Sequence, residues 1–243
     1  MIPKFNIFAP LVMLGVLLGL CSPTTSWSED RLLSLRTPLA KRAVAMPTFE
    51  LDLSEVAENE GVKKWGEQAQ ELCEEWYPIL CRFLATDDWK SPEKVRIVLK
   101  QEFNAPAATS GATIHVSVKW ITNHPDDFGM MIHELTHVIQ NYPPGQPGWL
   151  VEGIADYVRY WKYEPEMPRR RIDWDKAGYR DGYYTSGAFL AWVSHTYDRR
   201  LLRNLDAALK DGHYDDHLFE LATGKPLATL WDEFKAAQQP RQK

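Results

Sequence analysis

Apolar and polar positions along this chain follow two periods, and the change from one to the other marks out its elements. In TFELDLS (48–54) they alternate, which predicts a strand. From Glu55 to Leu84 apolar residues return at threes and fours, through Val62, Trp65, Ala69, Leu72, Cys73 and Trp76. That is the period of a helix, and Pro78 is expected to divide it into two. KVRIVLK (94–100) places β-branched residues at alternate positions and predicts a second strand. EFNAPAATSG, just beyond it, has the composition of a loop. ATIHVSVKWI (112–121) alternates again, with Ile114, Val116, Val118 and Trp120 on one face and His115, Ser117 and Lys119 on the other. NHPDD then supplies a helix start, where Pro125 is tolerated in the first turn and Asp126 and Asp127 favour the positive helix end. From there to Ala237 the patterns are helical, broken by Pro- and Asp-rich turns. Three strands followed by an all-helical half predict an α+β fold with a small sheet.

Composition narrows the class. The 243 residues are 44% hydrophobic and 25% charged, enough for one full domain with a core and unlike a disordered chain. A net charge of −5 and a pI near 5.8 leave no basic footprint, so no nucleic-acid partner is expected. At the N-terminus Lys4 precedes FNIFAPLVMLGVLLGL and then polar CSPTTSWSED. A cationic start, a short apolar run and small residues describe a signal peptide over 1–26, cut near Ser26 or Ser28. The run is shorter than the roughly twenty apolar residues that span a bilayer, so no stable membrane insertion is expected after cleavage. The expected location is secreted or periplasmic, with lipid anchoring through Cys21 a minor branch because Leu20 suits that processing poorly. Residues 27–46 read as a linker and 47–240 as the folded domain. Cys73 and Cys81 could pair if Pro78 bends the chain between them, or remain two buried thiols; both readings stand.

The chemistry lies in MMIHELTHVIQNYPPGQPGWLVEGIADYV (130–158). His133-Glu134-Leu135-Thr136-His137 is HExxH; on a helix the two histidines sit one turn apart on one face and can reach a single ion. Glu134, turned about 100° away, can contact a water on that ion without occupying a coordination position. Ile132, Leu135, Val138 and Ile139 form the opposing apolar stripe. A catalytic zinc takes three protein ligands and keeps a position for water. Glu152, on the next helix, can supply the third. Asp156, one turn on, can accept a hydrogen bond from the outer nitrogen of a ligand histidine. The turn NYPPGQPG would let the second helix fold back on the first.

HExxH followed by ExxxD resembles the gluzincin metallopeptidases. More narrowly, HELTHVIQNY with PGWLVEGIADYVRY, GYRDGYYTSGAFLAWV and LFELATGKPLATLWDEF resembles the basic secretory protein family, a plant and bacterial group assigned to the peptidases. The likeness runs from about residue 48 to 237, although the acidic pI departs from the family's name and no affinity for an acidic partner is carried over from it. It implies a zincin-like fold: a small mixed sheet packed on the HExxH helix, and a helical C-terminal half. It also implies that ATIHVSVKWI is the edge strand beside the cleft, where a peptide could add by β-pairing; an ordinary strand inside the sheet is the equal alternative. Tyr183 falls at the family's Gly-Tyr position and is the candidate donor to the oxyanion, with Tyr184 and Tyr179 as competitors.

The expected function is a secreted, zinc-dependent peptidase acting on peptide or protein substrates, with Glu134 as general base. A metal-dependent hydrolase of another amide or ester, or a defence or binding protein with a vestigial metal site, are the alternatives. His195 reads as a core residue, His115 as a strand residue on the polar face, and DGHYDDH (211–217) as a solvated turn. Gln140 has no role legible in the sequence, and neither the oligomeric state nor the cleavage preference is encoded in these patterns.

Overall fold

Four strands form one sheet in the order β1-β2-β4-β3, built from Thr48–Asp52 (β1), Lys94–Lys100 (β2), Ala107–Ser110 (β3) and Thr113–Ser117 (β4). The structure is a computed structural model that describes residues 44–56, 58–86 and 88–238. The expected signal peptide (1–26), Cys21 and the expected linker up to residue 43 lie outside the described residues. The β1–β2 and β2–β4 pairs are parallel, and β3 returns antiparallel to β4, so the sheet is mixed. Central β2 buries Val95, Ile97, Val98 and Leu99. Each such side chain contributes about 1.5–3 kcal/mol relative to exposure. The β1–β2 boundary also carries the cross-strand pairs Lys94–Glu50 at 2.6 Å and Arg96–Asp52 at 3.1 Å.

Helix α1 (Glu60–Leu84) crosses from β1 to β2. The Asn59 side chain caps it by accepting from Val62 N at 3.1 Å. Its stripe from Val62 through Trp65, Ala69, Cys73, Tyr77 and Leu80 to Leu84 is buried. Pro78 lies inside this single helix, contrary to the expected division. Packing of the continuous stripe outweighs the one hydrogen bond that proline removes. Cys73 and Cys81 are free, buried thiols in that helix; an unbroken helical rise of eight residues, about 12 Å, keeps them beyond disulfide reach.

Three other expectations are corrected around β4. AATS, read as loop, is strand β3 and forms the sheet's edge. ATIHVSVKWI is not one strand: β4 stops at Ser117, whose hydroxyl accepts from Trp120 N at 3.3 Å and caps a short helix α2 (Val118–Asn123). Asn123 ends α2, HPDD is a turn where a helix start was expected, and α3 (Gly129–Gln140) starts after it. The rest is α4 (Gly148–Val158), a π turn (Arg159–Tyr163), an irregular run, then α5 (Tyr183–Thr196), α6 (Leu201–Lys210), α7 (His217–Thr223) and α8 (Leu227–Gln238). Among the described residues this is a mixed α+β fold of four strands and eight α-helices, and none of its helices is long and apolar enough to cross a membrane.

Helix α3 sits centrally, against β3 and β4 on one side and α1 and α4 on the others. Helices α4 and α5 approach through two glycines. A Cβ on Gly153 would lie 2.8 Å from Ser186 Cβ, and one on Gly187 would lie 3.0 Å from the Tyr157 backbone nitrogen and 3.2 Å from Gly153 O. Backbone cannot rotate aside as a side chain can. Gly187→Ala should therefore cost about 1–3 kcal/mol, read as a lower midpoint in thermal unfolding; an unchanged midpoint would mean that the two helices have room to separate.

Helix α6 turns two ionic side chains inward. Lys210 Nζ donates to Asp206 Oδ1 at 2.7 Å and Oδ2 at 2.6 Å, and to Leu84 O at the end of α1 at 2.9 Å. Tyr142, just after α3, donates to Asp206 Oδ1 at 2.8 Å. Burial pushes the Asp206 carboxyl up and the Lys210 ammonium down, against the attraction between them.

Candidate metal centre

Helix α3 presents His133 and His137 one turn apart, and α4 brings Glu152 to them. His133 Nε2 lies 3.1 Å from Glu152 Oε2 and 3.1 Å from His137 Nε2, and His137 Nε2 lies 3.5 Å from Glu152 Oε2. These three residues are the group, among those described, whose ligand atoms could hold a metal ion. They open into a cleft of about 830 Å³ that is also lined by Ala107, Thr109, Glu134 and Tyr183.

The other ring nitrogens decide what the centre can do. His133 Nδ1 is 2.7 Å from Asp156 Oδ1. A carboxylate only accepts, so this nitrogen carries the proton and donates. His137 Nδ1 is 2.6 Å from Gln140 Oε1, while Gln140 Nε2 donates to Val151 O at 3.0 Å. The second bond fixes the amide so that its oxygen faces His137, which therefore donates as well. In neutral imidazoles both Nε2 atoms are then lone pairs. Two lone pairs and a carboxylate oxygen converge with no donor between them, an arrangement that calls for a cation or a proton at its centre. The residues present thus fit a metal on donor chemistry alone.

In the chain by itself a proton plays that part. Burial alone would push the His133 imidazolium down, but the hydrogen bonds to Asp156 and Glu152 outweigh it and raise its pKa to about 9. Burial likewise opposes ionisation of Glu152, yet the two histidines hold its carboxyl down at about 2. The signs follow by linkage. The His133 contribution to stability is complete below its ordinary 6.5 and is lost as pH rises through about 9. That of Glu152 is complete above its ordinary 4.5 and is lost as pH falls towards about 2. Chelator-treated protein should therefore melt highest between about pH 4.5 and 6.5, with a falling midpoint towards pH 9. A midpoint flat from 6.5 to 9 would mean that His133 takes up no proton.

Glu134 follows His133 on α3, is 6% exposed, and reaches the cleft from the side facing β3. Thr109 Oγ1, on that edge strand, lies 2.7 Å from Glu134 Oε2 and 3.0 Å from Glu134 O. Its single proton favours the charged oxygen. Thr109 was not among the residues read from sequence, because nothing in AATSG separates it from an ordinary loop threonine. Gln140 had a signal, its spacing of three from His137, but the partner atom is visible only in the fold.

The three tyrosines separate. Tyr183 lines the same cleft as His133 and His137, 59% exposed, with its ring 6.2 Å from that of His133 and nearly parallel to it. The Glu152 carboxylate, then partial burial, raises its pKa and keeps the phenol protonated. Its φ of 45°, after Gly182 at 77°, is a left-handed backbone that a tyrosine rarely adopts. Tyr184 is buried and accepts from Arg170 N at 2.9 Å, and Tyr179 packs on Trp149, Phe189 and Trp231. His195, expected in the core, is exposed in the last turn of α5, off the face that buries Phe189, Leu190 and Val193. His115 is half-buried against Phe103, and His213 and His217 sit in or beside an exposed turn.

A family model described as a peptidase of plants and bacteria (BSP) matches residues 61–234. No curated protein and no solved structure matches the chain.

Proposed function

This chain belongs to that family of plant and bacterial peptidases, and from that premise we propose that it is an exported, zinc-dependent metallopeptidase of zincin-like build. His133, His137 and Glu152 would hold the ion, with Glu134 as general base and Asp156 orienting His133. The observation that carries the reading is the convergence of two imidazole Nε2 atoms and one carboxylate oxygen within 3.5 Å of one another, with Glu134 beside them in the same cleft. Export rests on the signal-like segment 1–26.

When bound, zinc acidifies a water and polarises the scissile carbonyl. The remaining work falls to the chain. Glu134, steadied by the Thr109 hydroxyl, accepts the proton of the attacking water and returns it to the leaving nitrogen. Asp156 and Gln140 hold the two imidazoles with their Nε2 lone pairs aimed at the centre. Tyr183, protonated and poised over His133, donates to the oxyanion as the carbonyl becomes tetrahedral. Strand β3 ends the sheet beside the cleft, and its unpaired edge suits an extended peptide that adds as a further strand. This moves the expected edge from ATIHVSVKWI to Ala107–Ser110.

Metal analysis of the purified mature chain should give about one zinc per molecule. The zinc-loaded protein should cleave members of a mixed peptide library, and the chelated protein none. A folded protein that takes up no zinc would overturn the metal assignment. Zinc-loaded protein that leaves every peptide intact while splitting esters would overturn the peptide assignment.

A further inference from the structure

A second and larger cleft, about 1260 Å³, lies on the other side of the α5 N-terminus. Tyr183 faces the metal cleft while its neighbour Tyr184 faces this one, and Arg170 lines both. Five cationic side chains line the larger cleft: Lys162, Arg169, Arg170, Arg171 and Arg199. Two carboxylates oppose them, Asp173 and Asp175, and Asp173 is already 3.4 Å from Lys176. Among the described residues none of the five cations has a carboxylate within 4.0 Å. This concentration of positive charge occurs in a chain whose net charge is −5.

Three of the cations are held in place without being neutralised. Arg169 lies 4.7 Å from the centre of the Trp161 ring and donates to Tyr160 O at 2.7 Å and Pro165 O at 3.1 Å. Arg170 lies 5.0 Å from the Tyr160 ring, and Lys162 lies 5.2 Å from that of Tyr157. Aromatic faces fix a cation's position while leaving its charge available to a ligand. Arg171 and Arg199 are exposed and carry no such contact among the described residues. Trp174 and Trp192 add apolar walls. A site of this kind takes a flexible anion with apolar stretches, and guanidinium groups match carboxylates in particular.

We propose that this cleft is a substrate subsite for an acidic stretch of polypeptide, reached from the metal centre past Arg170, so that the enzyme prefers chains carrying several Asp or Glu beside the segment it cuts. An acidic polysaccharide would meet the same charges, but the shared Arg170 and the adjoining cleft favour the substrate chain itself. The cleavage part rests on the peptidase reading above; the binding part does not.

The test uses two labelled peptides that differ only in a run of Glu or of Gln beside a common neutral segment. Anisotropy with the Glu134→Gln protein should show the Glu peptide binding about ten-fold tighter at low salt, with the difference shrinking as salt rises. Arg171→Glu with Arg199→Glu should abolish the preference, and a thermal melt checks that the variant is folded. The salt series, done on protein with both arginines intact, stands even if that variant fails to fold. Equal binding of the two peptides at low salt would overturn the proposal. So would tight binding of an oligouronate by a cleft that ignores the Glu peptide. If the Glu peptide binds through these arginines but zinc-loaded wild type cuts neither peptide, the peptidase reading fails and the subsite stands. If wild type cuts both with equal kcat/KM and binding does not discriminate, the subsite fails and the peptidase reading stands.

Discussion

Glu134→Gln should keep its zinc and lose about 10²–10⁴-fold in kcat, the range for removal of a positioned general base. The substitution is nearly isosteric, and the amide oxygen can still accept from Thr109, which lies 2.7 Å from the carboxylate oxygen it replaces. Neither His133, His137 nor Glu152 needs to move. What disappears is the capacity to take a proton from water and return it to the amine. Zinc content and peptide cleavage measured on one preparation separate the two roles. Loss of both would place Glu134 in the metal's support. Cleavage within a few-fold of wild type would remove it from the chemistry.

Lys210→Met should destabilise the fold by about 3–5 kcal/mol, because it strands a fully buried carboxylate. Among the described residues Asp206 would keep Tyr142 alone as a side-chain donor, and Leu84 O would lose the ammonium that closes the end of α1. For a domain of this size the midpoint of unfolding should fall by about 6–20 °C. Burial pushes both partners of the pair towards neutrality, so their attraction does not recover the whole cost of desolvation. Combining Lys210→Met with Asp206→Leu should therefore restore most of the lost stability. If the double variant melts no higher than the single one, the pair contributes through geometry that apolar packing cannot replace.

Where one physical preference governed a segment, the sequence was a sufficient guide. The stripe of α1 and the alternation of β2 follow from local periodicity, and the turn NYPPGQPG from its Pro and Gly content. The family likeness rests on motifs spread over much of the chain, and the matching family model covers residues 61–234. Misreadings fell where tertiary partners override local preference. AATS is small and polar, and becomes a strand because β4 offers it an edge. VKWI has the β-branched and aromatic residues of a strand, yet Ser117 caps its backbone into a helix. Pro78 breaks isolated helices, but here a buried stripe runs on through it. At the site, the spacing of His133, His137 and Glu152 could be argued from helical geometry. Thr109 could not, since it reaches Glu134 across 25 residues from a strand with the composition of a loop.

The three candidate ligands come from a short length of chain: His133 and Glu152 are 19 residues apart, with Gln140 already tied to Val151 within that interval. Closing so short a loop costs little entropy, so an ion there would fasten mainly the α3–α4 hairpin. Local opening of proteins follows such cooperative segments. Withdrawing the ion should speed amide exchange and proteolytic nicking first at the exposed turn around Pro144 and Gly145, while β2 and α1 keep their protection. The metal would then act as a latch on one hairpin, and its loss would be recorded as a cut in the chain well before the domain unfolds.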